Sequence, residues 1–331
     1  MSIGRLSFVL FMMMLTLTAC GGNQDQTQTS QEKNGEEETP LHIYTTLYPW
    51  QEFTERIGQD EVEVENLVPA GSDVHSFEPT AKTMIRVAEG DVFIYNGAGV
   101  DGFSQAVKDT AEQEGVTTLE VTENMTLQTQ REHSHAEDVE GHHHGDEAEA
   151  DTDSHAHSDV DPHVWLDPLL AIEAAENIKT ALIELRPDKK QYFEENFQQL
   201  KSDLEALHEN FKQMAASANR DTFLVSHAGY GYWESRYQLH QIGMTGLSPS
   251  NEPSQKQLQQ IIQLAQDYEV QHVMLEQNIS SKIAEVVQDE IGAEALYLHN
   301  LESLTEEDIE NNENYFRLME QNINHLAEAL Q

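Results

Sequence analysis

Imidazole and carboxylate are the groups this 331-residue chain holds in excess: 16 histidines and 60 acidic residues, against 18 lysines and arginines. Its single cysteine, Cys20, excludes both an internal disulfide and a thiolate metal cage. Four side chains stand where donors to a cation are expected. His75 lies in Gly71-Ser72-Asp73-Val74-His75-Ser76-Phe77-Glu78-Pro79-Thr80, just past a strand expected at Val62–Val68. His163 lies in Asp161-Pro162-His163-Val164-Trp165-Leu166-Asp167-Pro168, where flanking prolines stiffen the turn. His227 closes the run Phe223-Leu224-Val225-Ser226, and Glu276 closes Val273-Met274-Leu275. Three imidazoles and a carboxylate make a tetrahedral donor set of the kind zinc takes. Composition alone does not choose these four from so many histidines and acids. His42, His208, His240, His272, His299 and His325 are read as ordinary hydrogen-bonding residues.

A second group of histidines has a different character. Arg131–Val160 holds His133, His135, His142, His143, His144, His155 and His157 among interspersed acids, with almost nothing apolar. Such a segment cannot bury a core and reads as a disordered loop inserted into the first lobe. Its donors suit borderline divalent ions such as zinc, copper or nickel, as an auxiliary low-affinity site.

The elements that must position the first group are short β-rich runs alternating with helical patterns. Strands are expected at Leu41–Thr46, Val62–Val68, Val92–Asn96, Thr117–Val121, Thr222–Ser226, Leu239–Gly243, Gln271–Glu276 and Ala295–His299. Helices are expected between them, among others at Ala81–Glu89, Asp101–Glu114, Ser254–Tyr268 and Lys282–Glu290. Alternation of this kind implies parallel sheets covered by helices. Pro168–Ala218 is almost wholly helical, broken only at Arg186-Pro187-Asp188. In Asp188–Ala216 the residues Tyr192, Phe193, Phe197, Leu200, Leu204, Leu207 and Phe211 recur at spacings of three and four, the mark of one long amphipathic helix. The expected architecture is α/β: two lobes, each a parallel sheet flanked by helices, residues 41–187 and 219–331, joined by one rigid helix over 188–218. Three of the four candidate donors then follow strand C-termini, where open α/β sheets bind ligands, and two come from each lobe.

Residues 1–19 carry one basic residue, Arg5, and an apolar run too short to span a membrane, the pattern of a signal peptide. Leu17-Thr18-Ala19-Cys20 resembles the bacterial lipobox, in which the cysteine is acylated and becomes the first mature residue. Residues 20–40 lack apolar periodicity and read as a flexible tether with a reach of about 25 Å. The formal net charge of −42 argues against a nucleic-acid role, which needs a basic stripe to displace phosphate counterions. It equally argues against docking bare protein on anionic lipid, so the membrane link is expected to be lipid.

From about Leu41 onward the chain resembles the zinc-binding lipoproteins of bacterial ABC transporters, in the helical-backbone metal-receptor superfamily. The resemblance rests on His75-Ser76-Phe77-Glu78-Pro79-Thr80, on Asn96-Gly97-Ala98-Gly99, on Asp161 through Pro168, and on Ser226-His227-Ala228-Gly229-Tyr230-Gly231-Tyr232. The acidic, histidine-rich loop of that family falls where Arg131–Val160 falls. The resemblance implies that His75, His163 and His227 bind the metal, and Glu276 matches the position supplying a fourth ligand in many members. Manganese-binding relatives carry a carboxylate at the third position, so His227 favours zinc; manganese or iron uptake is the alternative. It further implies a non-enzymatic, monomeric receptor on the outer face of a Gram-positive cell membrane, handing Zn²⁺ to a permease and its ATPase. Some relatives carry a second zinc-binding domain at the C-terminus, which is not expected here. A surface adhesin and a zinc hydrolase are the readings from other classes; no His-Glu-x-x-His motif supports the latter.

Overall fold

The computed structural model describes residues 39–129, 160–250, 252–277, 279 and 282–331. Cys20, the signal and tether segments, and the seven histidines between 133 and 157 lie outside the described residues. The first half runs β1 (Leu41–Thr45), α1 (Tyr48–Gly58), β2 (Val62–Asn66), α2 (Ala81–Ala88), β3 (Val92–Tyr95), α3 (Ser104–Gln113) and β4 (Thr117–Glu120). Two helices follow, α4 (Pro168–Leu185) and α5 (Lys190–Ser217). The second half runs β5 (Thr222–His227), α6 (Gly231–Tyr237), β6 (His240–Thr245), α7 (Gln255–Asp267), β7 (His272–Glu276), α8 (Lys282–Ile291), β8 (Glu294–Leu298), α9 (Glu306–Glu310) and α10 (Tyr315–Ala329).

Each half builds one four-stranded sheet, in the orders β2-β1-β3-β4 and β6-β5-β7-β8, with every pair parallel. Parallel pairing needs a crossover between strands, and helices covering both faces explain why β3 and β5 are buried along their whole length. All eight strands lie within two residues of their expected positions. Local chemistry sets the helix starts. Thr80 caps α2, and Asp167 with Pro168 at the first turn opens α4. Reciprocal capping boxes open α7 (Ser254 with Gln257) and α9 (Thr305 with Asp308).

The helical stretch breaks where the prolyl ring of Pro187 denies Arg186 a helical backbone, and one 3-10 turn, Pro187–Lys189, leads into α5. At 28 residues α5 is about 42 Å long. It buries Phe193, Phe197, Leu200, Leu204, Leu207, Phe211 and Met214 against α4, α1 and α10. Tyr192, counted with that stripe in the sequence, is instead 39% exposed. One residue of helical rotation, about 100°, turns it away from its neighbour Phe193.

The apolar core does not stop at the linking helix. One buried cluster runs from Leu41 in β1 through Phe211 to Leu330 beyond α10, and Thr39–Gln331 packs as one unit. A smaller cluster under β5, β6 and β7 contains Leu224, Ile242, Met244 and Val273. The C-terminal segment ties the halves together. Tyr315 meets Phe53 edge-on at 4.9 Å and donates its hydroxyl to the Trp165 carbonyl at 2.6 Å. The amides of Asn219 and Arg220 both donate to the Leu330 carbonyl at 3.0 Å.

Candidate metal centre

Each candidate histidine is held by a carboxylate that acts on its backbone or on the far side of its ring. His75 sits in a 3-10 turn, Val74–Ser76, whose leading Asp73 accepts the His75 amide at 2.9 Å. In the Asp161-Pro162-His163 turn, Asp161 Oδ1 accepts both the His163 amide, at 3.0 Å, and Nδ1, at 2.7 Å. That turn is anchored on three sides: the Tyr232 hydroxyl donates to the Asp161 carbonyl, Asn96 Nδ2 to the Pro162 carbonyl, and the Trp165 indole to the Asn300 carbonyl. These bonds account for most of the two motifs carrying Asn96 and His163.

His227 is the last residue of β5, and Glu276 is the last residue of β7, the strand directly beside it. Glu276 Oε2 accepts His227 Nδ1 at 2.6 Å, and Oε1 accepts the Tyr230 hydroxyl at 2.8 Å. Two glycines of the Ser226–Tyr232 motif leave the room this requires. A Cβ on Gly229 would stand 2.4 Å from His227 Nε2, and one on Gly231 would stand 2.6 Å from Asp161 Oδ2.

With both Nδ1 atoms engaged, the Nε2 atoms of His163 and His227 point inward and stand 3.3 Å apart. His75 Nε2 lies 3.5 Å from Glu302 Oε1. The donor atoms of His75, His163, His227 and Glu302 all fall within 4.8 Å of one another. Four ligands at about 2.0–2.1 Å around zinc are separated by about 3.3 Å along each tetrahedral edge, so both measured separations match that geometry. His75 Nε2 and Glu302 Oε1 are buried without a hydrogen-bond partner, a costly state for polar atoms unless a cation satisfies them.

The structure therefore brings His75, His163 and His227 together, as expected, but not Glu276 as the fourth donor. Glu276 is spent on the outward nitrogen of His227, and Glu302 faces the cluster. Glu302 follows β8 in a turn that crosses to the first half. Its carbonyl accepts the Tyr48 amide at 3.0 Å, Ser303 Oγ donates to the Ser72 carbonyl at 2.7 Å, and the Gly71 amide donates to the Leu304 carbonyl at 2.8 Å. The same rule that selected Glu276, a position at a strand C-terminus, also applied to Glu302, four residues past β8.

The electrostatics are those of a cation site. Burial by itself would lower the pKa of His227, but the charge and hydrogen bond of Glu276, with Glu302 and Asp161 beyond, outweigh it and push it up to about 9. Burial lowers His163, helped by the neighbouring imidazoles and opposed by Asp161. Burial would raise Glu302, yet the facing His75 and the charges of His227 and His163 bring it below its ordinary value. Glu302, His163 and His227 are fully buried, whereas His75 is partly exposed. His75 also lines a surface cavity of about 610 Å³ with Phe77, Glu78, Met84 and Phe103.

Two parallel α/β lobes on one rigid helix, with imidazoles and a carboxylate from both converging on a buried point, are the architecture of a metal receptor. The chain belongs to the ZnuA family, "Zinc-uptake complex component A periplasmic", whose model matches residues 43–329. It is 33% identical over 294 residues to the zinc-binding lipoprotein AdcA of Streptococcus pneumoniae serotype 4, covering 87% of this chain and 56% of that protein. The chain thus spans little more than half the length of that relative. It is 32% identical over 323 residues to the high-affinity zinc uptake system protein ZnuA of Bacillus subtilis, covering 98% of this chain and 96% of the relative. Among solved structures, the Zn(II)-bound ZnuA-like domain of S. pneumoniae AdcA superposes with a TM-score of 0.70 at 30% identity, covering 88% of this chain and 99% of that one. The laminin binding protein of Streptococcus agalactiae, titled a bifunctional protein with adhesin and metal transporting activity, superposes with a TM-score of 0.73 at 25% identity, covering 88% of this chain and 100% of that one.

Proposed function

We propose that this protein is the extracytoplasmic solute-binding component of an ABC transporter, capturing Zn²⁺ between its lobes and delivering it to a membrane permease. The observation that carries the reading is the convergence of His75, His163, His227 and Glu302, three of them buried, whose donor atoms lie within 4.8 Å of one another. Imidazole and carboxylate at tetrahedral spacing suit zinc, and a fourth protein donor closes the position that a catalytic zinc keeps open for water. Capture and release, rather than catalysis, is what such a site does best. Asp161 and Glu276 fix the tautomers of their histidines so that Nε2 presents its lone pair to the ion.

The remaining parts of the proposal follow from the sequence. Cys20 carries the lipid that holds the receptor at the outer face of the membrane. The histidines at 133, 135, 142, 143, 144, 155 and 157 gather zinc with lower affinity than the central set. Metal analysis and competitive chelator titration of the purified protein, wild type against His227→Ala, test the reading. One tightly bound zinc per chain, lost in the variant, supports it; tight binding unaffected by the substitution overturns it.

A further inference from the structure

Glu302 reaches the metal centre from a backbone that has no reason of its own to adopt its shape. Leu301, immediately before it, has φ of 61°, in the left-handed region that disfavours a branched residue. Its side chain is fully buried, so the strain is not relieved by exposure. Something must impose this turn. The structure shows what does. The Leu301 amide donates to His299 Nδ1 at 2.9 Å, which leaves the proton on Nε2, and Nε2 donates to Asp308 Oδ2 at 3.1 Å. Asp308 Oδ2 also accepts the Thr305 amide at 2.8 Å and the Thr305 hydroxyl at 2.5 Å, tying the far end of the same turn to the start of α9. Behind His299, Asn322 of α10 takes both backbone groups: its Oδ1 accepts the His299 amide at 2.7 Å, and its Nδ2 donates to the His299 carbonyl at 2.8 Å. His299, Asp308 and Asn322 are all buried. Asn300 completes the frame, its Oδ1 accepting the Glu302 amide at 3.2 Å.

We propose that His299 and Asp308 are positioning residues for Glu302: clamped between α9 and α10, the pair holds the strained Leu301 turn and thereby keeps the Glu302 carboxylate at the metal. This rests on the reading of Glu302 as the fourth donor. Neither residue belongs to the group of donor atoms that converge, His75, His163, His227 and Glu302. Their effect on zinc must therefore pass through Glu302, and that dependence separates positioning from a general contribution to stability.

The test is a double-mutant cycle on the purified protein, with zinc affinity from chelator competition and the visible spectrum of the Co²⁺-substituted form as the two readouts. His299→Asn keeps an acceptor for the Leu301 amide but loses Asp308; Asp308→Asn keeps one acceptor oxygen but loses the charge that His299 and Thr305 share. Partners that orient metal ligands are worth about 10–100-fold in affinity, and each variant is expected to weaken zinc by about tenfold or more. Each should also alter the cobalt d–d bands in the same sense as Glu302→Gln. In the Glu302→Gln background both substitutions should leave zinc affinity unchanged within about twofold. Melting of the metal-free protein registers any structural cost separately, in both backgrounds. Wild-type affinity and spectrum in the folded single variants, or an equal loss of affinity in the Glu302→Gln background, overturns the proposal. If wild type binds no zinc tightly, or Glu302→Gln binds it as wild type does, the underlying reading of the site fails instead.

Discussion

Replacing Gly229 by alanine adds one methyl group and should cost the protein its metal. Gly229 has an ordinary negative φ, so alanine meets no backbone penalty there. The conflict is purely steric: the new Cβ would lie 2.4 Å from His227 Nε2, 2.9 Å from Cε1 and 3.2 Å from Cδ2, where ordinary contact begins near 3.4 Å. The ring must retreat by about 1 Å, five times the ~0.2 Å within which a zinc–imidazole distance holds. It cannot swing aside freely, because the ring is fully buried and Glu276 pins its other nitrogen at 2.6 Å. His227 is therefore displaced as a donor although all four side chains of the centre keep their chemical identity. Loosening a ligand's support costs about 10–100-fold, and displacing the ligand belongs at the upper end: a hundredfold rise in Kd, or about 2.7 kcal/mol. Competition against a chromophoric chelator measures this, with melting of the metal-free variant as the control for folding. Adding Gly229→Ala to His227→Ala should produce no further loss. Zinc affinity within about threefold of wild type in a folded Gly229→Ala protein would show that His227 Nε2 is not a donor.

Three further outcomes are expected. Glu276→Gln keeps a hydrogen-bond acceptor for His227 but removes its charge, and should weaken zinc by about 10–100-fold in chelator competition, less than His227→Ala does. Removing residues 131–159 should leave one tight zinc per molecule by titration, since Thr129 and Val160 pair across the base of that segment and His75, His163, His227 and Glu302 all lie outside it. Burial would raise Asp308, but its bonds to His299 and Thr305 lower it to about 2, below the ordinary carboxylate range. A folded-state pKa below the unfolded one contributes stability that is present above about pH 4 and lost as pH falls toward 2. Urea midpoints of the metal-free protein should therefore fall across that window, and Asp308→Asn should flatten the fall.

Much of this molecule is legible in its sequence, for physical reasons that also mark where legibility ends. The strands declare themselves as short β-rich runs, apolar throughout in β3 and alternating in β2, and α5 declares itself because Phe193 through Phe211 keep helical spacing along its length. The histidine triad is legible as a set of motifs: Asp161 and Gly229 stand beside His163 and His227 because their chemistry is needed there. The carboxylates are another matter. Glu276 and Glu302 both follow strands, and their roles depend on sheet order, which no local pattern encodes. Because β7 is the direct neighbour of β5, Glu276 ends up beside His227 and bonds its outer nitrogen. Because β8 is one strand further out, its following turn is free to cross over and aim Glu302 at the cluster. The left-handed backbone at Leu301 is likewise invisible in a residue type that rarely adopts it.

The core that passes from β1 to the end of α10 couples the stability of both halves to loading of the site between them. With a shared interior, neither half has a complete set of apolar partners alone, so the chain melts as a whole rather than lobe by lobe. An ion bound at the meeting point of the halves then stabilises all of it, by RT ln(1 + [Zn²⁺]/Kd), about 4 kcal/mol at a thousandfold excess over Kd. Metal-loaded protein should then resist heat and protease longer than the metal-free form, which melting and limited proteolysis with and without zinc would measure.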